Sequence, residues 1–403
     1  VFAGRRFARV RAIASPDAAM SRLYAVESGF SVTGSMADHR LRLAPSDVES
    51  FAKVLTIALA ERGVEALALL AQIFSGAGQR SDEWQHLVDA IADDLVANQG
   101  RSAVVVGAAQ PATLHALAIT INGALSNFGN TTFFGPAIDP NDQACRQSVA
   151  QLVKDAPAIS SLVIIGGNPA YDAPADLKLA ELLRRDGLTS VHLSTHRNET
   201  SELCTWHAPV AHELEAWGDQ QSLDGSVSVQ QPLIAPLYGA RSEIEFLATF
   251  AGEKVTSGHD IVRETHAARL EQDTKSLLDY GVAREVLSAD SVWRGALHTG
   301  VLLNSVSSKP PVNLQSVTEV FQALAMREAG GSKPKGFQVI FEPDPALWGG
   351  THAKNLWALE VPLPITKLVW DNAARISRAS ARVLGVTNGQ MLRLSMGDAK
   401  VEV

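Results

Sequence analysis

The chain is poor in the residue that most often marks a redox or metal centre. Among 403 residues there are two cysteines, Cys145 and Cys204. Two thiols cannot build a four-ligand cluster, and their spacing fits no zinc or iron–sulfur pattern. Small buried thiols account for both, and nothing in the sequence requires a disulfide between them. Long apolar runs are also lacking. Val54 to Leu70 comes nearest, but Glu61, Arg62 and Glu65 interrupt it, short of the ~18 to 20 uncharged residues that a membrane-spanning helix needs. There is no basic surplus either: the formal net charge is -8 and the isoelectric point about 5.8. A general nucleic-acid binder is therefore disfavoured, and Arg184-Arg185 reads as a solvated helix face. A Gly-x-Ser-x-Gly nucleophile motif is absent, which argues against serine hydrolysis.

What is present is bulk suited to two or three domains, with 46% hydrophobic and 19% charged residues. The chain opens Val1-Phe-Ala-Gly-Arg-Arg without an initiator Met or signal peptide, and it closes on the strand-like Ala399-Lys-Val-Glu-Val403. Both ends read as cut from something longer.

Periodicity predicts a short strand over Arg22–Glu27 and an apolar helix from Pro45 to about Arg62, with Ser46 or Asp47 as its N-cap. Trp84, Leu87, Val88, Ile91 and Leu95 then form an amphipathic stripe on a second helix after Ser81. Strand and helix alternate beyond it: strands at Ala103–Gly107, Thr131–Phe134, Leu162–Gly166 and Ser190–Ser194, helices at Ala112–Leu125, Asp142–Lys154 and Ala175–Arg185. Such repeats predict an α/β fold of parallel sheets covered by helices, with ligand-facing loops at the strand carboxyl ends. Further on, helices are expected at Glu243–Phe250 and across Asp260–Leu278, and one more after the polar stretch Ser305–Pro311. Phe337–Phe341 reads as a buried strand, Pro362-Leu-Pro364 as a linker, and beyond it a helix over Arg378–Leu384 and strands around Met391–Leu394 and Ala399–Val403 are expected.

The strongest candidate for binding is Gly166-Gly-Asn-Pro169, where an apolar strand runs into two glycines and a helix start. Lacking Cβ atoms, Gly166 and Gly167 can present backbone N–H groups to a phosphate, with Asn168 beside them. Two glycines without the full dinucleotide spacing are also compatible with a tight turn that binds nothing. Val106-Gly-Ala-Ala-Gln-Pro111 is a weaker loop of the same kind. His192, His196, His207 and His212 cluster in sequence, but their spacing does not set three ligands on one helix face. Glu213, Glu215, Asp219 and Asp224 read as a polar loop face. Trp206, Trp217, Trp348, Trp357 and Trp370 read as core or interface anchors. No catalytic residue and no metal ligand is assigned.

Several segments together carry a family resemblance. Ala37-Asp-His-Arg-Leu-Arg-Leu43, Leu114–Gly129, Leu162–Leu177, His212–Leu237, Lys367–Gly385 and Asn388–Leu394 occur in the order of the large subunits of the molybdopterin oxidoreductase superfamily. Thr33-Gly-Ser-Met-Ala-Asp-His-Arg40, Gly167–Asp176, His207-Ala-Pro209, Glu215-Ala-Trp-Gly-Asp219 and Gln231–Leu237 most resemble one branch, the molybdopterin-like iron–sulfur subunit of alternative complex III.

The resemblance implies two lobes, one from residues 1–98 and 216–365 and one from 99–215, followed over 366–403 by the start of a C-terminal β-barrel domain. It implies a non-catalytic body in a respiratory quinol-oxidising complex, peripheral on the extracytoplasmic, periplasmic face of the membrane. Partners would be a ferredoxin-like iron–sulfur region, a membrane-embedded quinol-binding subunit and cytochrome c subunits, with no nucleic acid. Iron–sulfur clusters are expected in a C-terminal region outside this chain, and molybdopterin in none of it, the Gly166–Asn168 loop being a vestige. The alternatives are a fragment of an active molybdopterin dinucleotide enzyme, with Gly166, Gly167 and Asn168 lining the cofactor, and an unrelated nucleotide-using α/β enzyme.

Overall fold

The computed structural model describes the chain apart from residues 1, 14, 17, 19, 76–81, 136–144, 280–286, 307–335, 343, 351, 371–372 and 398. The described residues form a mixed α/β structure of short parallel sheets flanked by helices. They fall into two compact units, one of Val1–Phe133, Asn313–Glu342 and Leu359–Val403, the other of Phe134–Val312 and Pro343–Ala358.

In the first unit, α1 (Phe2–Arg9) precedes β1 (Tyr24–Glu27), which pairs in parallel with β2 (His39–Arg42) across the short α2 (Val32–Ser35). The core lies between α3 (Pro45–Glu61), α4 (Ala68–Phe74), α5 (Asp82–Ala97) and α6 (Ala112–Ala124). Phe51, Val54, Leu55 and Leu59 of α3 meet Trp84, Val88 and Ile91 of α5 and Leu117 and Ile121 of α6. Each such side chain contributes on the order of 1.5 to 3 kcal/mol by leaving water. The stripe expected on α5 is the stripe that is buried, with Leu87 and Leu95 at its edge.

Four expectations here are corrected. The α3 N-cap is Ala44, which has no side-chain cap bond, with Pro45 in the first turn. The Ser46 N–H is instead capped from far away in sequence by Gln338 Oε1 at 3.0 Å, while Gln338 Nε2 donates to Ser46 Oγ at 2.9 Å. Ala103–Gly107 is not a strand. The Asn122 side chain takes the place of a neighbouring strand, accepting from Val104 N at 2.9 Å and donating to Val104 O at 2.7 Å. Thr131–Phe134 is not a strand either, since the Asn127 carbonyl gathers the N–H groups of Asn130, Thr131 and Thr132 into a turn and leaves one isolated bridge, Phe128 to Thr132. Phe337–Phe341 also differs from its reading: it forms no strand and, apart from the half-buried Gln338, is exposed, Phe341 at 81%.

The second unit begins, after residues outside the description, with α7 (Cys145–Asp155), and holds a three-stranded parallel sheet of β3 (Ser161–Ile165), β4 (Thr189–Ser194) and β5 (Trp206–Pro209) with β4 central. The first crossover contains α8 (Pro169–Asp172) and α9 (Leu179–Leu183). The single helix expected over Ala175–Arg185 is broken by Lys178, whose φ of 51° is left-handed and separates a 3-10 turn, Ala175–Leu177, from α9. The second crossover carries α10 (Glu199–Leu203).

Beyond it, β6 (Gly218–Gln221) and β7 (Val227–Gln230) form an antiparallel hairpin, followed by α11 (Glu243–Ala251), α12 (Gly258–Thr265), α13 (Ala267–Asp279) and α14 (Ala289–Thr299). The helix expected over Asp260–Leu278 is thus two helices, with His266 capping the first. Val227, Val229, Val262, Leu270, Trp293 and Leu302 form this region's core.

In the first unit again, the helix Arg378–Leu384 appears as expected, capped by Ser377 and ended by left-handed Gly385. The strands Arg393–Met396 and Ala399–Glu402 pair as an antiparallel hairpin, and no barrel closes among the described residues. The helix expected after Ser305–Pro311 lies outside the described residues, as does the start of the helix expected at Asp142.

Candidate functional site

The Gly166-Gly-Asn-Pro169 loop sits where the sequence places it, at the carboxyl end of β3. Gly166 and Gly167 both have φ of 65°, a left-handed conformation that side chains with a Cβ rarely adopt. This turn redirects the chain within two residues, so that Asn168 points back into the protein and is 1% exposed.

Both its oxygen and its nitrogen are engaged. Nδ2 donates to Glu199 Oε2 at 2.7 Å, and Oδ1 accepts from Thr200 N at 3.2 Å and from Thr200 Oγ1 at 2.8 Å. Thr200 Oγ1 in turn accepts from Ala170 N at 2.9 Å. The Asn168 amide holds the Glu199 carboxylate below its usual range. One side chain therefore ties the start of α8 to the start of α10, and it satisfies an N–H in the first turn of α10 that would otherwise lack a helical partner.

Below this contact lies His192 on β4, completely buried. Its Nε2 is 3.3 Å from the Gly166 carbonyl and its Nδ1 2.8 Å from Ser201 Oγ. A carbonyl can only accept, so Nε2 carries the proton and Nδ1 accepts from the Ser201 hydroxyl. Burial, reinforced by neighbouring His207, pushes His192 below its ordinary value and keeps it neutral. Ser201 also closes a capping box with Asn198, and Asn198 Nδ2 donates to the Gly167 carbonyl at 3.4 Å.

The remaining histidines have separate tasks. His207 Nε2 lies 3.1 Å from Ser194 Oγ, whose proton goes to the His196 carbonyl at 2.7 Å. His196 Nδ1 meets Thr195 Oγ1, and His212 Nδ1 accepts from Leu214 N to cap its own 3-10 turn. Among the described residues no group of three or more His, Cys, Asp and Glu side chains is arranged to hold a metal ion. Cys204 is a free, half-buried thiol pushed up by burial, and the side chain of Cys145 lies outside the described residues.

The carboxylates do not converge. Glu215 accepts from His212 N, Asp219 Oδ2 lies 2.5 Å from His266 Nε2, and Asp224 accepts from Ser222 Oγ and Ser226 N, which lower it to about 2. Trp217 packs half-buried against the core of its region as read, but Trp206, Trp348, Trp357 and Trp370 are exposed, Trp357 at 83%, and the buried tryptophans are Trp84 and Trp293. The weaker loop at Val106–Pro111 follows no strand, and its turn is closed by Gln110 N donating to the Gly107 carbonyl.

A segment from much later in the chain also meets the strand-end loop. Trp348, Gly349 and Gly350 are three consecutive left-handed residues, with φ of 45°, 62° and 84°. They lie so close to α8 that a Cβ at Gly350 would sit 2.7 Å from Tyr171 Cδ1 and 3.1 Å from Asn168 Nδ2, and one at Gly349 2.9 Å from Asp172 Oδ2.

Glu199, Thr200, Ser201 and His192 were not singled out from the sequence as partners of the glycine loop. The usable signal was local: Asn198-Glu-Thr-Ser201 directly after an apolar strand spells a helix cap. Comparison of the chain with known protein families and with curated proteins finds no match to either. In chemical terms, the arrangement binds two crossover loops to each other. The Gly166 N–H donates to the Leu193 carbonyl at 2.8 Å, and both ends of the Asn168 amide face inward, so neither is offered to a phosphate.

Proposed function

We propose that this chain is a non-catalytic scaffold: the molybdopterin-oxidoreductase-like body of a subunit in a quinol-oxidising respiratory complex of the alternative complex III type. The observation that carries this reading is the inward bonding of the Gly166–Asn168 loop. The Gly166 N–H and the Asn168 amide, which a pterin dinucleotide would use at a strand end, are engaged with Leu193, Glu199 and Thr200 instead. The residues present therefore do not fit the cofactor at this loop, and no reaction step is derived through it.

On this reading the chain docks a ferredoxin-like iron–sulfur region, a membrane-embedded quinol-binding subunit and cytochrome c subunits at the periplasmic face. Exposed apolar side chains such as Tyr238, Leu233, Phe341 and Trp357 are compatible with covered faces in such an assembly. No helix among the described residues is long and apolar enough to cross a membrane, so membrane attachment would run through partners. A fragment of an active molybdopterin enzyme is the competing reading, supported by the paired left-handed glycines at a strand end.

Metal analysis of the full-length protein purified with its natural neighbours separates the two. Iron without molybdenum is the expected result. Molybdenum at one atom per chain would remove the scaffold reading.

A further inference from the structure

The contact between Trp348-Gly-Gly350 and α8 has no part in the scaffold reading, and it joins segments far apart in the chain. Asp344 builds the turn locally, its Oδ1 accepting from Ala346 N at 2.7 Å and its carbonyl accepting from Trp348 N at 2.9 Å. The chain then passes through three left-handed residues, the first of them a tryptophan, where such backbone is costly. The Leu347 carbonyl closes the far side by accepting from Gly350 N at 3.1 Å and His352 N at 3.0 Å. A turn held in so unfavourable a conformation needs a compensating contact, and that contact is the face of α8: Asn168, Tyr171 and Asp172. Lys354, just beyond, adds an attraction to Glu199, the acceptor of the Asn168 amide.

We infer that Asp344–Gly350 is a strap whose seating on Asn168 and Tyr171 locks the strand-end loop, and that the loop opens when the strap lifts. Gly350 is the pivot of the seat because only a residue without a Cβ fits against the Tyr171 ring. The inference goes beyond the scaffold reading and does not depend on it, since it concerns how the second unit holds its own loop.

The molecule supplies a matched control. Gly187 has φ of 80°, close to the 84° of Gly350, but no atom lies within 4 Å of the Cβ it would carry. Gly187→Val and Gly350→Val thus share the backbone strain and differ in the clash. Hydrogen exchange on the full chain reads the lock through the amides of Ala170, Tyr171 and Thr200, which donate to Thr200 Oγ1, Asn168 O and Asn168 Oδ1.

Exchange at these three amides should rise at least roughly tenfold in Gly350→Val and stay at the wild-type rate in Gly187→Val. Tyr171→Ala, which removes a half-exposed ring and leaves both glycines intact, gives a second readout if Gly350→Val fails to fold. It should raise exchange at Gly350 and His352 while leaving the amides of β4 protected. Equal exchange in the two glycine variants, or an unchanged strap in Tyr171→Ala, would overturn the inference. Molybdenum in the intact protein would leave it standing.

Discussion

Asn168 and Glu199, 31 residues apart, are joined by a 2.7 Å hydrogen bond from an almost completely buried amide to a carboxylate. The bond fixes the α8 and α10 crossovers to each other at the carboxyl ends of β3 and β4. A charge-assisted bond of this kind is worth more than a neutral one, and removing its donor leaves other groups unpaired as well.

Asn168→Ala should therefore cost about 2 to 4 kcal/mol, since the Thr200 N–H and hydroxyl lose their acceptor along with Glu199 losing its donor. Chemical denaturation of the full chain measures this. A loss under about 0.5 kcal/mol, the level of an ordinary surface substitution, would show that the amide does not tie the two loops.

His192 sets a pH dependence whose sign follows from its depressed folded value. The unfolded chain takes up a proton near the ordinary value of 6.5, and the folded chain only at lower pH, so stability from this group is present above 6.5 and lost as pH falls below it. Denaturation midpoints at pH 7.5 and 5.5 should differ in the wild type, and His192→Asn should reduce the difference. An identical pH slope in the variant would exclude His192 as the source.

Asn122 gives a third test, in the first unit. Its side chain accepts from Val104 N and donates to Val104 O and Ala118 O, so Asn122→Ala should cost about 2 to 3 kcal/mol through buried groups left unpaired. The Val104 amide should then exchange with solvent much faster than in the wild type. A Val104 amide as protected as before would mean that the extended segment is held by something else.

The same asparagine explains why part of the fold was not legible. Ala103-Val-Val-Val-Gly107 has the β-branched run of a central strand, but a side chain 18 residues later occupies the position of a strand neighbour, and local periodicity cannot register a single distant amide. Gln338 capping Ser46 is the same problem at a helix end. By contrast, β3 and β4 were readable because apolar runs bounded by turn residues carry their own signal, and the Arg378–Leu384 helix because Ser377 and Gly385 mark both of its ends. At the candidate site the glycine pair was readable for what it does to the backbone, while its chemistry was not. Whether an Asn168 amide faces a ligand or a neighbouring helix depends on side chains 31 and 32 residues away.

Among the described residues, all three strands of the parallel sheet come from the single stretch Ser161–Pro209. Contacts that close over short sequence distances form early, and a chain leaving the ribosome completes them before later segments exist. The three strands are thus expected to pair while Asp344–Gly350 is still to be synthesised, and the loop that carries Asn168 to become locked only once that strap is made, an order that protease resistance of nascent chains stalled at successive lengths would register.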